Sequence, residues 1–269
     1  MQGTVADPEA SSQCRIRATN LIDGHHHRAI VVATSGVARP AFPCAKIGFC
    51  HRGYLCLQEM SNQVNALPPS ADWDAVRLWR KLVRDELIQH RTALPPDIRR
   101  TLGEGACARL LDVVDLRAFT VLGFCWPIRG EFDVRGIAKL FLAAGGQLAL
   151  PVVVQKSAPL EFWKWHPGMP MEGGIWNIPI PKERNVLIPD LVIVPLVGFD
   201  KSGFRLGYGG GYFDRTLAAA APRPYAIGLG YAGSALQTIY PQSHDIPMNL
   251  IVTDQAVYLG CADAQQKLL

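Results

Sequence analysis

Four glycines stand within five positions of one another, at Gly207, Gly209, Gly210 and Gly211. An apolar run, LVIVPLVGF, comes before them, and an alanine-rich segment, YFDRTLAAAA, follows. This order predicts a buried strand, a glycine-rich turn and the first turns of a helix. Such a turn exposes several backbone N–H groups beside the positive end of the helix dipole, an arrangement that binds phosphate. Glycine is needed there because a side chain would block the anion or forbid a positive φ.

A cation and a carboxylate flank this glycine loop (residues 207–211), with Arg205 before it and Asp214 after it. The two charges suit a nucleotide that carries Mg²⁺. The loop is not a Walker A motif, because no Gly-Lys-Ser/Thr follows the glycines, and Tyr212 occupies the third glycine position of the dinucleotide fingerprint. On composition alone, a tight strand-to-helix connection that needs small residues explains the glycines equally well.

The longer string LIPDLVIVPLVGFDKSGFRLGYGGGYFDRTL, residues 187–217, resembles the signature region of the 5-formyltetrahydrofolate cyclo-ligases, also called methenyltetrahydrofolate synthetases. Three shorter motifs lie in the order of that family: WRKLVRDEL at 79–87, GEFD at 130–133 and WNIPIP at 176–181. The resemblance covers roughly residues 72–258, and the long string is its most specific part.

The resemblance implies ATP- and Mg²⁺-dependent cyclisation of 5-formyltetrahydrofolate to 5,10-methenyltetrahydrofolate, with release of ADP and phosphate. The polar turn at 130–133 and the glycine loop both follow apolar strands, and strands alternate with helical segments. We therefore expect a single three-layer α/β domain over residues 69–269, with a mostly parallel twisted sheet of Rossmann-like topology. Ligands of such sheets bind at the carboxyl ends of the strands, where both turns are expected.

The first helix is predicted from Asp72 to about Arg91, because apolar residues recur on one face at spacings of three and four. Its other face is basic, which by pattern alone indicates a solvated surface. The resemblance instead implies that Arg80 and Arg84, one turn apart, contact ATP phosphates, with Lys81 as a neighbour able to substitute.

The resemblance also assigns roles to residues elsewhere in the chain. It implies ATP binding by Arg80, Lys81, Arg84, Arg205, Gly207, Gly209, Gly210, Gly211, Tyr212 and Asp214; substrate binding by Glu131, Trp176, Gly209, Gly210, Gly211 and Tyr212; catalysis by Arg205 and Tyr212; and Mg²⁺ binding by Asp214 and Asn249. Taken alone, Glu131 is typical of an exposed turn acid and Trp176 of loop packing. For the folate tail, Lys156 and Lys164 are only guesses.

One position departs from the family pattern. In HDIPMNLIVTD, residues 244–254, Asn249 stands where the family usually has an aspartate that is a proposed second Mg²⁺ ligand. An asparagine offers a carbonyl oxygen without charge. We expect weaker Mg²⁺ binding, with Asp245 or water compensating, and a lower Mg²⁺ requirement after Asn249→Asp.

Residues 1–68 lie outside the resemblance and contain four of the seven cysteines. We expect residues 1–59 to be disordered. They are either an over-called start or dispensable extension, in which case Met60 is the more ordinary start, or an arginine-rich transit peptide. Cys44, Cys50 and Cys56 invite a metal hypothesis, but zinc pairs usually sit two to four residues apart.

Bulk properties limit the remaining functions. The net charge of +4 is spread along the 269 residues, which argues against a dedicated nucleic-acid surface, and no apolar run approaches a membrane span of about 18 residues. The odd cysteine count without a convincing secretory signal indicates reduced thiols and a cytoplasmic protein. Nothing in the sequence suggests an obligate partner, so we expect a monomer or weak dimer. The expected ligands are ATP and 5-formyltetrahydrofolate, with or without added glutamates. Two alternatives stay open, namely a non-catalytic folate-binding or regulatory protein and a related α/β enzyme of phosphosugars or acyl-CoA.

Overall fold

A computed structural model describes residues 72–261. The chain begins with helix α1 (Trp73–Ala93), for which the Asp72 carboxylate accepts a hydrogen bond from the Ala75 amide at 2.8 Å as an N-cap. Helix α2 (Pro96–Val113) follows directly, with a proline at its first position, where no backbone donor is required. Two shorter helices come later, α3 (Arg135–Ala143) and α4 (Tyr212–Ala219).

Thirteen strands lie between residues 121 and 259. In chain order they are β1 (Val121–Phe124), β2 (Gln147–Val152), β3 (Glu161–Trp165), β4 (Met171–Gly173), β5 (Pro179–Pro181), β6 (Val186–Leu187), β7 (Leu191–Pro195), β8 (Gly198–Asp200), β9 (Arg205–Leu206), β10 (Tyr225–Gly230), β11 (Ala235–Leu236), β12 (Leu250–Thr253) and β13 (Val257–Leu259).

Eight strands form the central sheet in the order β13-β12-β10-β7-β1-β2-β3-β6. The five strands from β12 to β2 run parallel, and antiparallel strands close both edges. Numbered by their place in the chain, the parallel strands read 2-1-3-4-5, a doubly wound order whose switch point lies between β1 and β7. The predicted mostly parallel, Rossmann-like sheet is therefore confirmed.

Helices cover both faces of this sheet, which gives the three layers that the sequence predicts. On one face, α2 and α3 pack on alternate strand residues such as Leu122 and Ile193, with Phe141 of α3 fully buried among them. On the other face, Leu217 of α4 packs with Val192 and its neighbours. Because successive strand residues point to opposite faces, strands that are covered on both sides form nearly continuous apolar runs. The five parallel strands follow this pattern, apart from the exposed Gln147 that begins β2 and Thr253 that ends β12.

Helix α1 packs on a small second sheet, β11-β8-β9, instead of the central sheet. This sheet is a difference from the sequence-based expectation, in which the apolar run LVIVPLVGF forms a buried strand that leads straight to the glycine loop. The β8–β9 hairpin is inserted between them, because the chain leaves β7 after Pro195 and Val197 pairs with Leu206. The hairpin thereby carries the glycine loop beside α1.

The predicted boundary between residues 1–68 and the domain, and the cysteine cluster at 44–56, lie outside the described residues. Within residues 72–261, no helix is long and apolar enough to cross a membrane.

Candidate active site

The last turn of α1 places Arg91 at the junction of three segments of the site. Its guanidinium is buried and donates hydrogen bonds to the carbonyls of Arg129 and Leu196, both at 2.8 Å, and to the Tyr208 hydroxyl. It also lies 3.6 Å from the Glu131 carboxylate. One side chain thus fixes the turn after β1, the segment after β7 and the glycine loop relative to one another.

Glu131 is buried in this junction. Its Oε1 accepts a hydrogen bond from the Tyr208 hydroxyl at 2.5 Å, and its Oε2 accepts one from the Ile128 amide at 3.0 Å. The side chain is only 5% exposed, so Glu131 is not the exposed turn acid that its local sequence suggests. Burial raises the pKa of Glu131 above its usual value, and the bonds from Tyr208 and Ile128 and the charge of Arg91 offset this in part.

Tyr208 is a site residue that the sequence analysis missed. Its hydroxyl accepts from Arg91 and donates to Glu131, and burial together with the Glu131 charge raises the pKa of Tyr208, so this hydroxyl stays protonated. The residue lies inside the glycine loop, where the sequence predicted roles only for the glycines around it and for Tyr212. A tyrosine between Gly207 and Gly209 is a signal that could have found it.

The glycine loop has the backbone conformation that its composition predicts. Gly209 has φ +94°, and Gly211, the residue before α4, has φ +62° in the left-handed region. Arg84 of α1 lies against the loop, where its Nε donates to the Gly207 carbonyl at 2.6 Å. A Cβ at Gly209 would lie 3.4 Å from the Arg84 guanidinium carbon, an ordinary van der Waals contact, so the positive φ is what favours glycine at this position.

Arg205 and Asp214, which flank the loop in sequence, are paired with each other. Two parallel hydrogen bonds of 2.9 and 3.0 Å join the guanidinium to the carboxylate, and the two side chains are 4% and 17% exposed. The Asp214 Oδ1 also accepts from the Ile246 amide at 3.2 Å. Both predicted phosphate and Mg²⁺ ligands are therefore at the loop, where each now satisfies the other.

Arg80 lies one turn from Arg84 but has different surroundings. Its guanidinium is buried and donates to the carbonyls of Ile239 and Tyr240 at 3.0 and 2.9 Å and to both Asp245 oxygens at 2.6 and 3.2 Å. These bonds fix the 239–245 segment to α1. A phosphate contact by Arg80 or a Mg²⁺ contact by Asp245 stays a prediction, since each now has the other as a partner, while Lys81 is exposed.

Aromatic rings extend the site beyond the loop. The ring centroids of Trp176 and Tyr212 are 5.9 Å apart, edge to face, and Trp176 is 68% exposed. The Arg215 guanidinium lies 5.0 Å from the Tyr212 ring and donates to the Gly210 carbonyl. The structure thus brings Trp176 to the start of α4, as an open aromatic wall beside the glycine loop.

Next to Trp176, a groove of about 680 Å³ separates strands β2 and β3 from the β4–β5 hairpin. Apolar side chains including Val152, Trp163, Ile175 and Ile180 line it, and the Glu161–Arg184 ion pair, at 2.8 Å, stands on its wall. The volume is that of a small-molecule site. Neither lysine named above as a guess for the folate tail, Lys156 or Lys164, lines this groove.

Asn249 has a structural hydrogen bond. It is buried just before β12, and its Oδ1 accepts from the Ala226 amide of β10 at 2.8 Å. It therefore lies at the amino end of these strands, whereas Glu131 and Tyr208 meet beyond the carboxyl end of β1. Among residues 72–261, no group of three or more His, Cys, Asp or Glu side chains is placed to hold a metal ion.

Comparison with known proteins identifies the family. A model described as the 5-formyltetrahydrofolate cyclo-ligase family matches residues 76–254. The chain belongs to this family. A curated cyclo-ligase from Escherichia coli K12 is 32% identical over 178 residues, which span 63% of this chain and 97% of that protein. A cyclo-ligase from Mycolicibacterium smegmatis is 29% identical over 180 residues, which span 64% of this chain and 91% of that protein.

Solved structures agree with this assignment. An NMR structure of Aquifex aeolicus 5,10-methenyltetrahydrofolate synthetase superposes with a TM-score of 0.59 at 26% identity and covers 67% of this chain and 92% of that one. The Mycoplasma pneumoniae synthetase, at 21% identity and a TM-score of 0.53, covers 65% of this chain and 99% of that one and shares the fold. The resemblance stated from the sequence motifs is thereby confirmed.

Asn249 offers a test between its structural bond and the metal role expected from the family pattern. Asn249→Ala leaves the buried Ala226 amide without its acceptor, so the free energy of unfolding should fall by about 1–3 kcal/mol in urea titrations. The Mg²⁺ concentration for half-maximal activity should stay unchanged. Unaltered stability with a higher Mg²⁺ requirement would contradict the structural role and favour Asn249 as a ligand.

Glu131 should make folding stability depend on pH. Because its pKa is raised in the fold, its contribution is fully present below the ordinary glutamate pKa of about 4.3 and is lost as pH rises through the raised value. Glu131→Gln copies the neutral form, so it should lose less stability than the wild type between about pH 4 and 8. Urea unfolding at several pH values measures this, with Glu104→Gln, an exposed acid of α2, as the matched control. Equal pH slopes in wild type and Glu131→Gln would refute the prediction.

Proposed function

We propose that this chain catalyses the ATP- and Mg²⁺-dependent cyclisation of 5-formyltetrahydrofolate to 5,10-methenyltetrahydrofolate, with release of ADP and phosphate. Membership of the cyclo-ligase family supports this reaction. The observation that carries it is the Tyr208–Glu131 hydrogen bond, which joins a phosphate-binding type of loop to a buried carboxylate suited to a pterin. Two substrates bound at these places would meet at the switch point of the sheet.

The glycine loop and three side chains form the proposed nucleotide site. Backbone N–H groups of residues 207–211 would bind ATP phosphates, as at other glycine-rich helix starts. Arg84 already lies on the loop and adds a positive charge that reaches solvent. The buried Arg205 would exchange the Asp214 carboxylate for a phosphate oxygen, which preserves a charge-assisted, bidentate contact for its guanidinium.

Asp214 is the proposed protein ligand for Mg²⁺. Magnesium usually keeps several waters and takes one or two carboxylates together with substrate phosphates, so a single carboxylate at the loop fits this ion. When bound, the ion would neutralise phosphate charge during transfer. Asp214 would become available to Mg²⁺ when Arg205 turns to the phosphate. Both side chains would then exchange their mutual ion pair for contacts with Mg·ATP, and no buried charge would be left unpaired.

The proposed chemistry is a phosphoryl transfer followed by ring closure. The formyl oxygen attacks the γ-phosphorus and the bond to ADP breaks, which converts a poor leaving group into a phosphate ester. N10 then attacks the formyl carbon and loses its proton, and the C–O bond breaks to release phosphate. The protein supplies position and positive charge, and we assign charge stabilisation to Arg205 and the placement of the reacting groups to Tyr212.

The folate is proposed to lie between Glu131 and the aromatic wall. A pterin presents several N–H donors, which a carboxylate accepts in pairs. Trp176, exposed and in contact with Tyr212, offers a face for the pterin or p-aminobenzoate ring. The groove beside it has room for the remainder of the molecule. We also propose that the protein is a cytoplasmic monomer or weak dimer and that it accepts polyglutamylated folate.

The reaction is tested by absorbance at the methenyl-folate band after mixing the purified full chain, Mg·ATP and 5-formyltetrahydrofolate. We expect a rise that requires ATP and that Asp214→Ala slows by about 10²–10³-fold, the usual cost of removing one electrostatic group from such a site. Asp112→Ala, an exposed acid of α2, is the matched control and should keep the wild-type rate. No rise with wild-type protein, while folate still binds by calorimetry, would contradict catalysis and favour the non-catalytic folate-binding alternative.

A further inference from the structure

Glu131 is covered in this structure, although the proposed function requires it to meet a pterin. Its side chain is 5% exposed, and both carboxylate oxygens already accept hydrogen bonds. The cavity that reaches it, between the carboxyl ends of β1 and β7, measures about 20 Å³. This is room for a single water molecule, far less than a fused bicyclic ring needs. Something must move before folate binds there.

Tyr208 is the part of this cover that is built to move. The Ile128 amide belongs to the same turn as Glu131, and Arg91 is buried and held by two carbonyls. Tyr208 is 37% exposed and lies between two glycines. Gly209 has φ +94°, and no atom lies within 4 Å of the position of a Cβ on Gly207. Because glycine has a wide range of allowed φ and ψ, the backbone on both sides of Tyr208 can rotate.

The same five residues that carry Tyr208 form the proposed phosphate cradle. Arg84 holds the loop through the Gly207 carbonyl, the residue directly before Tyr208, and it is a cation that a phosphate would attract. A phosphate drawn to the loop amides and to Arg84 therefore competes with the contact that holds the loop in its present position. Nucleotide binding and the position of Tyr208 are thus mechanically connected through one short segment.

We propose that Tyr208 is a positioning residue that gates the folate site: its hydroxyl covers Glu131 until Mg·ATP occupies the glycine loop. This inference rests on the proposed function. In the closed loop Tyr208 bonds to Glu131, and in the open loop the pterin takes its place, so the two substrates stabilise the same state. Linkage then requires that each substrate raises the affinity for the other by the same factor, which is about 5- to 150-fold in typical coupled sites.

Calorimetry on the full chain measures the coupling. The dissociation constant of 5-formyltetrahydrofolate is determined with Mg²⁺ alone and with Mg²⁺ plus β,γ-methylene-ATP, whose P–C–P link replaces the bond that phosphoryl transfer would break. For the wild type we expect about tenfold tighter folate binding in the presence of the nucleotide analogue. Tyr208→Phe keeps the ring but loses the hydroxyl bond to Glu131. It should bind folate about tenfold more tightly than wild type without nucleotide and show less than twofold coupling.

Two further variants separate a gate from a structural effect. Tyr208→Ala removes the ring as well and should also lose the coupling. Tyr258→Phe removes a hydroxyl from a ring that packs on Phe199, on the face of the central sheet that α4 covers. This variant should keep the wild-type coupling. Thermal unfolding of each variant reports stability separately from the ratio of the two dissociation constants.

Three results would overturn the gate. Equal folate affinity with and without the analogue in the wild type would show that nothing is coupled. Weaker folate binding by Tyr208→Phe with coupling retained would make Tyr208 a direct folate contact. Absence of folate binding by the wild type under both conditions would instead overturn the proposed function itself, and the gate with it.

Discussion

The buried guanidinium of Arg91 is the constraint on which the site depends. It donates to the carbonyl of Arg129, beyond β1, and to that of Leu196, beyond β7, so it spans the switch point of the doubly wound sheet. Its remaining donors face Tyr208 and Glu131. A planar group with five donors in fixed directions holds these segments in one arrangement, which a lysine would not do. This one side chain thus joins the segments that form the two proposed substrate sites.

Charged side chains of the site are paired with one another. Arg205 is bound to Asp214, and Arg91 lies beside Glu131, so little uncompensated charge is buried when no substrate is present. The Arg205–Asp214 pair could also exchange its partners, because Mg·ATP offers a cation to the carboxylate and an anion to the guanidinium. The Glu131 carboxylate shows the accompanying cost. Burial raises its pKa, because the charged form is less stable in this position than the neutral form.

Sequence reasoning placed the local features correctly and missed those that depend on distant contacts. The glycine loop, the start of α4 and the parallel sheet follow from composition and periodicity, and the Arg80–Arg84 spacing correctly put both arginines on one side of α1. That Arg80 meets Asp245 while Arg84 meets the loop depends on the 239–245 segment, which is about 160 residues away. The β8–β9 hairpin was missed because its strands are only three and two residues long and because β8 continues the apolar run of β7.

Arg91 and Tyr208 were missed for the same reason. Arg91 resembles an ordinary basic residue of a last helical turn, and Tyr208 an interruption among glycines. Their roles appear only when α1, the turn after β1 and the glycine loop meet. Local chemistry thus indicated which segments are candidates for binding phosphate and folate, whereas the contacts that join these segments needed the fold.

In the proposed reaction, the glycine loop and the Glu131 turn together bring ATP to the formyl oxygen and activate it. The most direct measurement uses 5-formyltetrahydrofolate with ¹⁸O in the formyl group, Mg·ATP and the full chain, followed by mass spectrometry of the released phosphate. We expect one ¹⁸O atom in each phosphate formed together with methenyl-folate. Methenyl-folate formation accompanied by unlabelled phosphate would refute activation of the formyl oxygen by ATP.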